Sequence, residues 1–197
     1  MGAIERIERS YSLPGFVAPM HQHQDEEILT CIRSGTVLHL DSMGHDEKLK
    51  AGEMRLINAG ATLHHEERIL DRDPVEGFHF HFRPERGGLE PMVQFLEASA
   101  KAVNEWRLIA SRSEAPLKLR AMASAHEARL SIGSHHLPKT EPGIIRVLTI
   151  FEGRLLAGGG HFRKGDVLLL DDEEKLLRVV EPADLLLIST PKGEGAD

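Results

Sequence analysis

The sequence predicts an all-β protein built as two β-barrels with a short helical or irregular connector, and three observations predict it. Apolar runs are short and strand-like, as in Ile28-Leu29-Thr30-Cys31-Ile32, or alternate strictly, as in Phe78-His79-Phe80-His81-Phe82. Gly and Pro punctuate these runs at close spacing, the signature of a sandwich or barrel. A turn-and-strand pattern in the first half returns in the second.

Taken in order, residues 4–12 mix Ile, Arg, Glu and Tyr and read as a short strand, ended by the turn Ser12-Leu13-Pro14-Gly15. Strands then follow closely: Ile28 to Ile32, a turn at Ser34-Gly35, and Thr36 to Leu40. Asp41-Ser42-Met43-Gly44 has the Asp and Gly that a tight turn favours. Lys48-Leu49-Lys50 leads through Ala51-Gly52 to the strand Met54 to Ile57, closed by Asn58-Ala59-Gly60. A charged loop runs from Arg68 to Pro74, a strand from Phe78 to Phe82, and a polar loop from Arg83 to Gly88. Pro91 to Trp106 is the connector, and a boundary within it divides the chain into residues 1–98 and 99–197. Beyond it, Leu117 to Arg120, Ala128 to Ile132, Ile144 to Phe151 and Val167 to Leu170 read as strands between Gly and Pro turns. Asp171 to Glu174 reads as a solvated acidic turn.

The repeat pairs Ser34-Gly35-Thr36-Val37-Leu38 and Ala51-Gly52-Glu53-Met54-Arg55-Leu56 with Glu152-Gly153-Arg154-Leu155-Leu156 and Lys164-Gly165-Asp166-Val167-Leu168-Leu169. Two copies of one barrel is the simple reading.

Bulk properties narrow the function. Hydrophobic content of 41% and charged content of 28% are ordinary for a globular chain. The net charge of -7 and the lack of a Lys/Arg stripe argue against a nucleic-acid surface. One cysteine, Cys31, permits no intramolecular disulfide and reads as a small buried apolar residue, which fits a reducing compartment. No run approaches the ~20 apolar residues of a membrane helix. The opening Met1-Gly2-Ala3-Ile4-Glu5-Arg6 lacks the apolar core of a signal peptide. The expectation is a cytoplasmic protein.

Twelve histidines against 5% aromatics is the unusual balance, and they gather in pairs. In Met20-His21-Gln22-His23, alternation puts His21 and His23 on one strand face. In Leu63-His64-His65-Glu66-Glu67, either His65 with Glu67 or His64 with Glu66 faces inward. Two imidazoles from one strand plus an imidazole and a carboxylate from another make a four-ligand set for a divalent metal. Glu27 shares the face of His21 and His23 if the strand runs straight; the plainer reading is a salt bridge at the barrel mouth. His79 and His81 form a second His-x-His, facing either solvent or the pocket. His39 reads as hydrogen-bonded within the barrel, and His135-His136 as surface. At the repeat's matching places the second half has Lys139 and Glu141 for His21 and His23, and Arg178 and Val180 for His65 and Glu67. Only the first barrel keeps a ligand set.

Gly15, His21-x-His23 with Glu27, Gly35, Gly52 and Asn58-Ala59-Gly60 before a His have the shape of the two cupin motifs. The stretches His21 to Thr30, Gly35 to Gly44, Ala51-Gly52-Glu53 with the later His-x-Glu, and Arg83 to Pro91 resemble the pirin family. The resemblance is dense over residues 15–91 and collinear beyond. It departs at Gln22, Cys31, Glu66, His79 and His81, and in lacking a longer segment before residue 4. It implies two cupin barrels face to face with one metal, usually iron, in the N-terminal barrel. It selects His21, His23, His65 and Glu67 as ligands and leaves Glu27 as the support that orients an imidazole or water.

Some bacterial members of that family open flavonols with dioxygen, and a eukaryotic member is a nuclear, iron-responsive transcription co-regulator. The resemblance therefore implies a metal-dependent dioxygenase, most simply Fe(II)-dependent, with Mn, Ni, Cu or Zn as alternatives. Its substrate would be a flavonol-like or other enediol or catechol compound, with Glu67 or Glu27 as general base. The alternative is a non-catalytic metal-binding regulatory module acting through a protein partner. A third is a degenerate relative with a repurposed pocket.

Overall fold

The computed structural model describes residues 2–170 and 174–193, and the chain divides into two compact units. All seventeen regular elements among the described residues are β-strands. The residues Asp171, Asp172 and Glu173 of the expected acidic turn lie outside the described residues.

The first unit comprises residues 4–99 with 117–121. Its strands are β1 (Ile4–Ser12), β2 (Val17–His23), β3 (Glu27–Ser34), β4 (Thr36–Asp41), β5 (Asp46–Lys50), β6 (Met54–Asn58), β7 (Leu63–Ile69), β8 (Val75–Phe82) and β9 (Met92–Leu96). They form a five-stranded sheet, β1-β8-β3-β6-β9, and a four-stranded sheet, β2-β7-β4-β5, with every pairing antiparallel. The short strand β11 (Leu117–Lys118) belongs here too. The five-stranded sheet buries both faces: Ile28 and Ile57 lie on one, Leu29, Leu56 and Phe80 on the other. Such strands read as apolar runs rather than as alternation.

The second unit, residues 1–3, 100–116 and 122–197, holds β10 (Trp106–Ser111), β12 (Ser124–Leu130), β13 (Gly133–His136), β14 (Ile144–Ala157), β15 (Gly160–Arg163), β16 (Val167–Leu170) and β17 (Leu176–Pro191). A continuous apolar cluster in its interior includes Leu148, Leu168, Leu185 and Leu187.

The repeat is visible in backbone hydrogen bonds. In the first unit Ala51 N donates to Gly35 O, Gly52 N to Ile32 O and Ile32 N to Glu53 O. In the second, Lys164 N donates to Gly153 O, Gly165 N to Ile150 O and Ile150 N to Asp166 O. Gly35 and Gly153 both have positive φ, +74° and +87°. A Cβ at Gly35 would lie 2.6 Å from Val75, so the corner requires glycine twice over.

Three elements differ from expectation. The connector contains no helix: Met92–Leu96 is strand β9, paired with β6 through half-buried side chains. The segment 117–121 packs on the first unit although the sequence places it in the second half. The longest strand, β17, is hidden in sequence by Glu181-Pro182, and its pairing with β14 is irregular around those residues, where a proline is tolerated.

Candidate metal centre

Strands β2 and β7 lie side by side, with His21 opposite His65 and Gln22 opposite His64. His65 is 4% exposed, while His64 and Gln22 face solvent on the other side of the ribbon. The imidazoles of His21, His23 and His65 converge, with ring centroids 4.3 to 4.8 Å apart. Their nearest nitrogens all lie within 4.8 Å of one another.

Hydrogen bonds fix which nitrogens face inward. His21 Nδ1 donates to Pro19 O at 2.8 Å, and His23 Nδ1 donates to Glu26 Oε1. Each ring then keeps its Nε2 lone pair for the cluster. His23 Nε2 stands 2.9 Å from His65 Nε2, and His65 Nδ1 is buried without a partner. Burial, reinforced by the Arg55 charge, pushes His65 down to about 2, so it is neutral. Three converging imidazoles, of which His65 is neutral and has an orphaned buried nitrogen, fit a divalent transition metal.

Glu67 stands two residues beyond His65, with an oxygen within 4.8 Å of its imidazole. Its Oε1 accepts from Arg55 Nη2 at 2.6 Å. Burial pushes its carboxyl up, but the Arg55 guanidinium, with His79 and His65, brings it to about 2. Glu67 is thus ionised, and it groups with His65 and His39 rather than directly with His21 and His23. His39, also near His65, is fully engaged: Nδ1 accepts from Arg55 Nη1 at 2.7 Å and Nε2 donates to Asp41 Oδ2 at 2.8 Å. Burial first and Arg55 second push it to about 4. It is a hydrogen-bonded interior histidine, as its sequence suggests.

Glu27 is not in the cluster. Asp25 adopts φ of +51°, which breaks the straight run from β2 into β3. Glu27 consequently points to the opposite face of its sheet and is 0% exposed. There it accepts from Asn58 Nδ2 and from the backbone N–H groups of Arg120 and Ala121, the latter at 2.7 Å. Its role is to pin the 117–121 segment, and the expectation that it supports His21 and His23 is corrected. Burial pushes its carboxyl up against those hydrogen bonds.

The support comes from Glu26. Its Oε1 takes the His23 proton donor and its Oε2 accepts from His81 Nδ1 at 3.0 Å. Those two hydrogen bonds hold its carboxyl well below the usual range. His81 is 5% exposed, and His79 bonds Thr30 Oγ1 and Ser10 Oγ at 3.2 and 2.9 Å. Both therefore lie on the interior face, opposite Phe78, Phe80 and Phe82, which are buried too.

Glu26 and Arg55 escape sequence reasoning for different reasons. Glu26 sits in an acidic run, Asp25-Glu26-Glu27, that resembles a solvated turn. Arg55 did leave a signal: it is a lone charge within Met54-Arg55-Leu56-Ile57, every residue of which is buried.

The architecture and this cluster define an all-β chain of the cupin class with a His/Glu centre in its first unit. The Pirin family model matches residues 5–81. A Mycobacterium bovis protein named "Putative quercetin 2,3-dioxygenase" is 30% identical over 175 residues, covering 85% of this chain and 71% of that protein. The quercetin 2,3-dioxygenase of Escherichia coli K12 is 39% identical over 77 residues, 38% of this chain and 32% of that enzyme. The crystal structure of the bacterial pirin YhhW from Escherichia coli in complex with nickel(II) superposes with a TM-score of 0.86 at 22% identity, over 98% of this chain and 84% of that one. The chain belongs to the pirin family.

Proposed function

We propose that this protein is a metal-dependent dioxygenase acting on a flavonol-like or other enediol or catechol compound, with dioxygen as co-substrate. The observation that carries the reading is the convergence of three imidazoles, with an ionised carboxylate beside one of them, His65. His21, His23, His65 and Glu67 would hold one divalent metal, with Fe(II) the first choice for such an N/O set and Mn, Ni, Cu or Zn compatible with it. The metal would supply Lewis acidity and open positions for substrate oxygen and dioxygen.

The chain's own residues set the conditions. Glu26 fixes the His23 ring by taking its Nδ1 proton. Arg55 makes Glu67 a weak base, so Glu67 serves as a ligand more readily than as a proton acceptor. Glu27, buried on the far face, takes no part. The names of the relatives support the reaction class, and the single buried cysteine supports a reducing, cytoplasmic setting.

The test is anaerobic reconstitution of untagged protein with Fe(II), followed by oxygen uptake and loss of flavonol absorbance. Metal content is measured beside His21→Ala and His65→Ala. Equal metal in wild type and variants would falsify the site. Stoichiometric metal without turnover of any enediol or catechol would leave the non-catalytic regulatory module.

A further inference from the structure

Arg55 is 1% exposed and held through both terminal nitrogens, while its buried Nε has no partner. Its Nη1 donates to His39 Nδ1 at 2.7 Å, and its Nη2 donates to Thr30 Oγ1 at 3.2 Å and Glu67 Oε1 at 2.6 Å. These partners are themselves braced. His39 Nε2 donates to Asp41, which accepts the backbone N–H groups of Met43 and His45 at 2.9 and 3.1 Å. Thr30 Oγ1 meets His79 Nδ1. The guanidinium therefore cannot swing away, and arginine does not give up its charge.

Resting on the metal-site reading above, we infer that Arg55 is a charge-setting positioning residue of the centre. It occupies Glu67 Oε1 and cancels the carboxylate's charge. Three neutral imidazoles and one carboxylate would reduce a divalent ion's charge by one; with Arg55 beside them the full double charge remains. In an interior that screens poorly, that excess lowers the affinity for metal and raises the affinity for ligands that bind as anions. The substrate class it favours is an enolate, catecholate or carboxylate rather than a neutral ketone or phenol. If Arg55 were only filling the sheet interior, its removal would change stability and leave both affinities alone.

The experiment uses Co(II) as a spectroscopic metal and azide as the anionic probe, read from the visible bands. Arg55→Gln is expected to bind Co(II) about tenfold more tightly and azide about tenfold more weakly, while Arg55→Lys stays within about threefold of wild type. Glu67→Gln works from the other side, by leaving the Arg55 charge uncancelled. Its cobalt form should bind azide about tenfold more tightly, a readout available even where Arg55→Gln does not fold. Unchanged azide affinity in Arg55→Gln or in Glu67→Gln overturns the inference, as does weaker Co(II) binding by Arg55→Gln. Wild type that takes up no cobalt, or takes up as much after His21→Ala, overturns the site reading and this inference with it.

Discussion

The two units share a corner and differ in what fills the space behind it. In the first, Thr30 is paired across the sheet with Arg55 on one side and His79 on the other. At the matching level of the second, Leu148 is paired with Leu168 and Leu187. Apolar clusters stand apart on the polar row's face of the first unit, one around Ile28, Ile57 and Leu63 and one around Ile32, Val37 and Leu49. The leucine row of the second unit lies within a single continuous apolar cluster. Strand pairing is therefore indifferent to the row, and the proposed metal centre lies beside it in the first unit alone. A buried polar row is tolerated only because nearly every donor in it finds an acceptor.

Four substitutions break the comparison in order of size. His65→Ala is expected to abolish stoichiometric metal binding, measured by elemental analysis of untagged protein. Leu148→Ala, in the second unit, should cost about 2–5 kcal/mol in a urea titration and leave metal content at wild-type level. A loss of metal in that variant would mean that the units are not functionally separate. Glu26→Gln should lower metal affinity by about 10–100-fold with little change in stability, because it releases the His23 ring. Glu27→Gln should do the reverse. An amide nitrogen turned towards the N–H groups of Arg120 and Ala121 leaves buried donors unpaired, at about 1–3 kcal/mol, with metal binding intact.

The contrast between those two glutamates also shows what sequence could and could not say. Alternation put His65 and Glu67 on one face of β7 and His64 and Glu66 on the other but left open which face is inward. The family resemblance selected His65, which is buried while His64 is exposed. Alternation failed at Glu27 because one residue in the left-handed region, Asp25, resets the phase, and no rule of alternation signals that in advance. The all-β class was legible from Gly and Pro spacing, and the repeat from its glycines. Arg120 and Ala121 could not be placed, because contacts to Glu27 lie more than ninety residues away in sequence. The support for His23 was hidden for a related reason: Glu26 and His81 meet only through the β3–β8 pairing.

The smallest effect concerns the polar row's response to acid. Unfolded, His39 titrates near the ordinary histidine value of 6.5; folded, burial and Arg55 push it to about 4. Between those values the unfolded chain binds a proton that the folded chain refuses, so stability falls as pH drops. It is full above about pH 6.5, declines by up to about 1.4 kcal/mol per pH unit for this one group, and levels off for His39 below about pH 4. His65 adds a further proton over a window reaching about 2. The measurement is urea unfolding at several pH values with a chelator present, so that metal binding does not mask it. His39→Gln retains an oxygen to accept from Arg55 and an amide to donate to Asp41, and it does not titrate. It should flatten the slope by one proton while leaving neutral-pH stability close to wild type. An unaltered slope would mean that His39 is protonated in the folded protein, which the Arg55 donor at its Nδ1 forbids.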